Sequence, residues 1–285
     1  MTALKPTPEQ QAILDASGTG GTVAISAAAG SGKTSTLRMV AATRPKTRML
    51  YLAFNKAIQR EAESSFPSNV TAKTAHALAY AEFGKPMRDR LNGPRMTGRD
   101  NARVLGITRP LGLDADRFFK EPTLASMALG MVARFCRSDS PDITVGHFRA
   151  PEGLSEAEGR HIAGYLLPYA ARAWQDLTAG PRGKLKPSHD VYLKQWALSG
   201  PALTGWDVIL YDFSSRPPSV VVVGLVLPEG VWRTSGRGVS PTPTGPTVAN
   251  GAALSLGDVE PRDSGSGQVR SAVSGPPMVV RWWLR

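Results

Sequence analysis

The sequence predicts an α/β protein with a mostly parallel sheet covered by helices on both faces. Three observations lead there. Continuous apolar runs at Thr22–Ser26 and Met49–Phe54 have the length of buried strands, Val70–Thr74 reads as a third, weaker strand, and a stretch of helical spacing follows each. A small-residue loop, Ala27-Ala28-Ala29-Gly30-Ser31-Gly32-Lys33-Thr34, joins the first run to its helix. An apolar run ending in a carboxylate, Trp206–Asp212, returns after a long helical block. Strands alternating with helices build parallel sheets, because a parallel pair needs a crossover between its members.

Along the chain, Thr7-Pro8-Glu9-Gln10-Gln11 opens a helix with Ala12, Ile13 and Leu14 on its apolar side, ended by Gly18 to Gly21. The helix after the loop carries Leu37, Met39, Val40 and Ala41 and stops before Pro45. Lys56 to Phe66 reads as a helix with Ala57, Ile58, Ala62 and Phe66 on one face, ended by Pro67. His76 to Phe83 is a short helix. From Pro86 to Trp196 strand signal is scarce. Leu124, Met127, Met131 and Phe135 recur at helical spacing. Ser155 and Glu158 form a capping box opening a helix with Ile162, Tyr165, Leu166, Tyr169, Ala173 and Trp174 on one side and a kink expected at Pro168. Residues 180–187 form a basic linker. Ser188 then caps a helix carrying Val191, Leu193, Trp196 and Leu198.

The loop carries the chemistry. Strand, small-residue loop, Gly-Lys-Thr and helix is the context of a phosphate-binding loop, G-x-x-x-x-G-K-[ST], with Ala27 where the first Gly is usual. Several backbone N–H groups must converge on one anion, so bulky side chains would obstruct the bend, and the helix N-terminus adds its positive end. Lys33 is placed to reach the β- and γ-phosphates, and the Thr34 hydroxyl to take one position on Mg²⁺. Asp212, at the end of its strand, is the candidate second Mg²⁺ ligand; taken without the loop it would be an ordinary strand-end Asp.

Composition bounds the partners. The chain has 285 residues, a net charge of +11 and a pI near 10.1, which favours a polyanionic partner. Its single cysteine, Cys136, makes no internal disulfide and fits a reducing cytoplasm. The polar, Pro-rich start is unlike a signal peptide, and the longest apolar run, Val220 to Leu227, is too short to span a bilayer. The expectation is a cytoplasmic protein with no membrane partner.

Five segments in order resemble the UvrD/Rep family of superfamily 1A DNA helicases, closest to the group that includes the F-box DNA helicase. Thr-Pro-Glu-Gln-Gln-Ala-Ile-Leu at 7–14 resembles the family's adenine-reading Gln motif, with Gln10 the reader. A Gln amide offers a donor and an acceptor, which suits the two-sided edge of adenine. Residues 28–34 resemble the family's phosphate loop, which tolerates Ala at position 27, so Ala29, Gly30, Ser31, Gly32, Lys33 and Thr34 join Gln10 as ATP-binding candidates. Tyr-Leu-Ala-Phe-Asn-Lys-Ala at 51–57 resembles a motif whose loop touches single-stranded DNA, with Phe54, Asn55 and Lys56 as the contacts. Phe54 either stacks on a base or is a core residue at a strand end. Thr-Ala-His-Ala-Leu-Ala-Tyr at 74–80 resembles the next motif through Thr74 and His76; His76 either contacts a phosphate or caps the sheet. His-Asp-Val-Tyr-Leu-Lys-Gln-Trp-Ala-Leu at 189–198 resembles the helix before the metal strand. The resemblance implies a RecA-like P-loop motor domain at 1–85 and 196–213, an inserted helical subdomain that grips DNA at 86–195, and ATP-dependent translocation and unwinding in DNA repair or recombination.

The chain departs from that pattern after Asp212. The family's next residue is a Glu that deprotonates the attacking water; here it is Phe213. The family's later motifs and its second motor domain are absent. Residues 214–285 contain no Lys, Ile, Tyr, His or Cys and are dominated by Gly, Pro, Ser, Val and Arg. This composition predicts a low-complexity, disordered tail: either an out-of-frame reading of a helicase gene or a genuine basic extension. Three functions follow: a DNA helicase or its N-terminal part with impaired turnover, a nucleotide- and DNA-binding remnant without turnover, or an unrelated P-loop ATPase. The ordered motifs argue against the third.

Overall fold

The computed structural model describes residues 5–18, 22–26, 30–212, 220–225 and 253–254. They fall into two units, divided after Ala77 and after Pro201. In the first unit, Thr7 opens helix α1 (Pro8–Gly18): its hydroxyl accepts the Gln10 N–H at 3.3 Å while Gln10 Oε1 accepts the Thr7 N–H at 3.0 Å. Strand β1 (Thr22–Ser26) leads to α2 (Lys33–Ala42), then β2 (Met49–Ala53), α3 (Lys56–Ser65), β3 (Val70–Thr74) and α4 (Ala75–Ala79), within which the first division falls.

The second unit continues through a π turn (Tyr80–Gly84) and a 3-10 turn (Lys85–Met87) into α5 (Arg88–Asn92). The single helix expected over His76–Phe83 is thus two conformations. Next come α6 (Gly98–Leu105), a small antiparallel pair β4 (Leu111–Gly112) and β5 (Phe118–Phe119), α7 (Glu121–Cys136), α8 (Glu156–Thr178) and α9 (His189–Leu198). The Ser155–Glu158 capping box opens α8 as expected, with Ser155 Oγ accepting the Glu158 N–H at 3.3 Å and Glu158 Oε2 accepting the Ser155 N–H at 2.8 Å. α8 runs through Pro168. Leu124, Met131, Phe135, Ile162, Leu166 and Ala173 are buried, so the helical spacing marked the core faces of α7 and α8. Leu198 is not on the core side: it is 41% exposed at the last turn of α9. Ser188 is the N-cap of α9, but its side chain makes no capping bond.

Arg90 organises the end of α8. Its guanidinium donates to the carbonyls of Asp176, Leu177, Gly180 and Leu185 and pairs with the Asp176 carboxylate at 3.2 Å. A cation on the last carbonyls satisfies the acceptors that a helix C-terminus leaves open. Gly183 is tied to this arrangement, since a Cβ there would sit 2.2 Å from both Arg90 Nη1 and the Asp176 carbonyl oxygen. The basic linker over 180–187 is therefore a folded loop wrapped on one arginine.

The sheet of the first unit is completed by β6 (Val208–Asp212), β7 (Val220–Leu225) and β8 (Ala253–Leu254), in the order β3-β2-β6-β7-β1-β8. β3, β2 and β6 pair in parallel, as the alternation of strands with helices predicts. Every residue of β2 is buried, on both of its faces. Exposed Asp207 joins Arg48 through Arg48 N, Nε and Nη2, which sets the register where β2 and β6 begin. The core of this unit gathers Val23 and Ile25, Leu37 and Val40, Met49 and Tyr51, and Val208 and Leu210.

Two features correct the expectation. β7 and β8 lie in the stretch read as a disordered tail, and they belong to the sheet. Four consecutive valines, Val220 to Val223, have high strand propensity, which the surrounding Gly, Pro and Ser obscured in the composition. The rest of that stretch lies outside the described residues. In addition, β7 runs antiparallel to both β6 and β1. Residues 213–219 are too few for the crossover of a dozen or more residues that parallel pairing requires.

Candidate functional site

The site stands at the carboxyl edge of the parallel strands. Ala53 pairs with Thr74 and Leu52 with Tyr211, so Phe54, Thr74 and Asp212 leave the sheet at one edge. Ser26 faces Val220 and Asp212 faces Val221 on β7, so the loop after β1 emerges at the same edge. Crevices outside the carboxyl ends of strands are where open α/β sheets bind ligands.

Ala27, Ala28 and Ala29 lie outside the described residues. The second half of the loop is described. Gly30 has φ 77° and Gly32 φ 78°, left-handed values that a side chain would strain. Gly32 is the N-cap of α2 and offers no side-chain cap, so no side chain of the N-cap residue occupies the first-turn amides. Lys33, the first residue of α2, is 7% exposed. Thr34 Oγ1 donates to Asp212 Oδ2 at 3.1 Å. The hydroxyl and carboxylate proposed from sequence as metal ligands are thus brought together.

Gln10 also meets the loop helix. Its Nε2 donates to Thr36 Oγ1 at 3.3 Å, and a Cβ on Gly32 would lie 3.5 Å from the same nitrogen. Its Oε1 is the acceptor that caps α1. One N–H of the amide and its oxygen are thus engaged within the protein, which ties α1 to α2.

The other candidates separate. Phe54 is 60% exposed in the turn after β2, so it is not a core residue. Lys56 beside it is exposed. Asn55 caps α3, its Oδ1 accepting the Ile58 N–H at 2.9 Å. Thr74 is buried, and its hydroxyl accepts the Ala77 N–H at 3.1 Å, so it caps α4. His76 is half-buried on α4.

Next to the Thr34–Asp212 pair lies a cavity of about 130 Å³, lined also by Arg38, Tyr51, Glu61 and Phe66. Sequence reading missed these residues. The available signal was spacing: Arg38 stands four residues after Thr34 on α2, hence on the same face. Arg38 Nη2 lies 3.7 Å from Glu61 Oε1, and its guanidinium sits over the Phe66 ring. Burial pushes the Tyr51 hydroxyl well above the ordinary tyrosine range; the charges of Asp212 and Glu61 add to this and that of Arg38 opposes it.

Among the described residues no group of three or more His, Cys, Asp or Glu could hold a metal, and no helix is long and apolar enough to cross a membrane.

No family model and no solved structure matches the chain. Over 232 residues, 80% of this chain, it is 29% identical to F-box DNA helicase 1 of Gallus gallus, of which the match covers 23%. Over 75 residues, 26% of this chain, it is 45% identical to F-box DNA helicase protein 1 of Schizosaccharomyces pombe (strain 972 / ATCC 24843), of which the match covers 8%. The chain spans less than a quarter of the length of either relative. Over most of its length the chain is thus similar to a DNA helicase.

Proposed function

We propose that the chain is the ATP-binding, N-terminal part of a UvrD-like DNA helicase, a RecA-like P-loop domain carrying an inserted helical subdomain. The observation that carries this reading is the 3.1 Å contact between Thr34 and Asp212, one from the loop helix and one from a distant strand. A hydroxyl and a carboxylate are hard oxygen donors, and Mg²⁺ is typically bound by one or two carboxylates together with substrate phosphates and water rather than by an all-protein cage. The residues present fit that ion. When bound, it would neutralise charge on the β- and γ-phosphates.

The chain's own residues then divide the work. The left-handed glycines, Gly30 and Gly32, turn the loop amides toward one anion, and Lys33 adds a charge. Gln10 holds α1 against α2 through Thr36, and its adenine-reading role rests on the resemblance of residues 7–14. Exposed Phe54 and Lys56 supply a stacking face and a cation to single-stranded DNA beside the site. Phe213 has no proton-accepting group, so turnover is impaired. This favours a second reading, a nucleotide- and DNA-binding remnant that does not hydrolyse ATP.

The test is binding of a fluorescent ATP analogue with Mg²⁺. Lys33→Ala should abolish it by removing the phosphate-facing charge. Unchanged affinity in that variant would refute the site. DNA-stimulated ATPase measured on the same protein separates the two readings.

A further inference from the structure

The cavity beside Thr34 and Asp212 contains more polar chemistry than its packing accounts for. Tyr51 is 2% exposed and lines this cavity. Arg38 Nε is buried without a hydrogen-bond partner among the described residues. Both residues line the same 130 Å³ cavity as Asp212, and Glu61 lines it too. Buried polar groups left unpaired by protein are normally satisfied by ordered water, and such water is expected where a cavity is polar and admits more than the ~10–15 Å³ that one water needs. This cavity meets both conditions.

We propose that Tyr51 and Arg38 are positioning residues for Asp212, acting through water held in the cavity that all three line. The inference rests on the reading of Thr34 and Asp212 as the Mg²⁺ ligands. Thr34 contacts the Asp212 carboxylate through Oδ2. Donors on the cavity side hold the carboxylate plane so that it presents an oxygen to the ion, the role that outer-shell hydrogen bonds play at metal sites generally. Arg38 is itself held, by Glu61 and by the Phe66 ring, so its direction is set before any ligand arrives. Tyr51 is fixed by its 4.9 Å ring contact with Phe66. One aromatic residue therefore orients both donors.

The test uses the full chain and compares affinity for a fluorescent ATP analogue in Mg²⁺ and in EDTA. Tyr51→Phe keeps the ring and its packing and removes only the hydroxyl. The gain in affinity that Mg²⁺ provides should shrink about tenfold, as for outer-shell partners elsewhere, while affinity in EDTA stays unchanged. Arg38→Gln should do the same and Arg38→Lys should restore part of the gain. Lys33→Ala should lose affinity in both conditions. An intact Mg²⁺ gain in Tyr51→Phe and Arg38→Gln overturns the inference while leaving the nucleotide site standing. Equal losses in Mg²⁺ and EDTA also overturn it, because they mean a structural role. If the unaltered chain binds no nucleotide in either condition, the nucleotide reading falls and this inference falls with it.

Discussion

Thr34 donates its hydroxyl proton to Asp212 across 3.1 Å, closing a sequence separation of 178 residues. β1 delivers the loop that ends at Thr34, and β6 delivers Asp212. These two strands do not pair with each other; β7 lies between them and pairs with both. The contact therefore depends on a strand from the Gly-, Pro- and Ser-rich stretch.

A chain ended after Leu225 should accordingly keep Mg²⁺-dependent nucleotide binding, and a chain ended after Asp212 should lose it. The shorter chain leaves β1 and β6 with unpaired backbone edges, which invite association with other chains. Size-exclusion chromatography should show it aggregated. Two chains of equal solubility and equal nucleotide affinity would mean that β7 contributes nothing to the site.

Phe54 and Asn55 are neighbours with opposite expected outcomes. Phe54→Ala should weaken binding of single-stranded DNA by about 1–3 kcal/mol, the range for loss of one base-stacking ring, with little change in melting temperature since Phe54 is 60% exposed. Asn55→Ala should cost about 0.5–2 kcal/mol of stability through the lost α3 cap. Fluorescence anisotropy and thermal melting on the pair check both. Binding to the unaltered chain should also fall with salt, by about −0.7 in the log–log slope per phosphate neutralised.

His147 makes the second unit sensitive to acid. The imidazole is buried, Nδ1 accepts the Thr144 N–H at 2.9 Å, and Nε2 lies 3.1 Å from Ser138 Oγ. Burial, helped by the charges of Lys194 and Arg134 and partly opposed by the Thr144 backbone, lowers its pKa below the ordinary histidine value. The folded state thus favours the neutral ring. Its contribution is complete above the unfolded value of about 6.5 and is lost as pH falls through the lower folded value. Melting temperature should drop between pH 7.5 and 5, and less steeply in His147→Gln. Equal slopes in the two proteins would show that another group controls the loss.

Turnover should be slow. On the proposed reading Lys33, Thr34 and Asp212 hold a triphosphate and its ion, but none is suited to take a proton from water, and Phe213 stands where the resembling family has a Glu. A missing general base costs about 10²–10⁴-fold. Phe213→Glu should raise the rate by no more than that factor, since it restores only a carboxylate at that position. Steady-state ATPase at ordinary enzyme rates in the unaltered chain would contradict this.

The sequence by itself determined the local pieces. Apolar runs marked β1, β2 and β6, most plainly β2, because a strand buried on both faces has no place for polar residues. Gly30 and Gly32 were legible because only glycine takes left-handed φ without strain. The capping box at Ser155 was legible because both its partners lie within one turn. Only the tertiary structure decided the rest. Whether Phe54 is core or exposed, whether Gln10 spends its amide on its own helix and on Thr36, and whether four valines find a sheet to join all depend on neighbours far away in the chain. Thr34 and Asp212 meet for the same reason. A side chain's local preference is encoded within a few residues, whereas its partner and its burial are set by which distant strands lie beside its own.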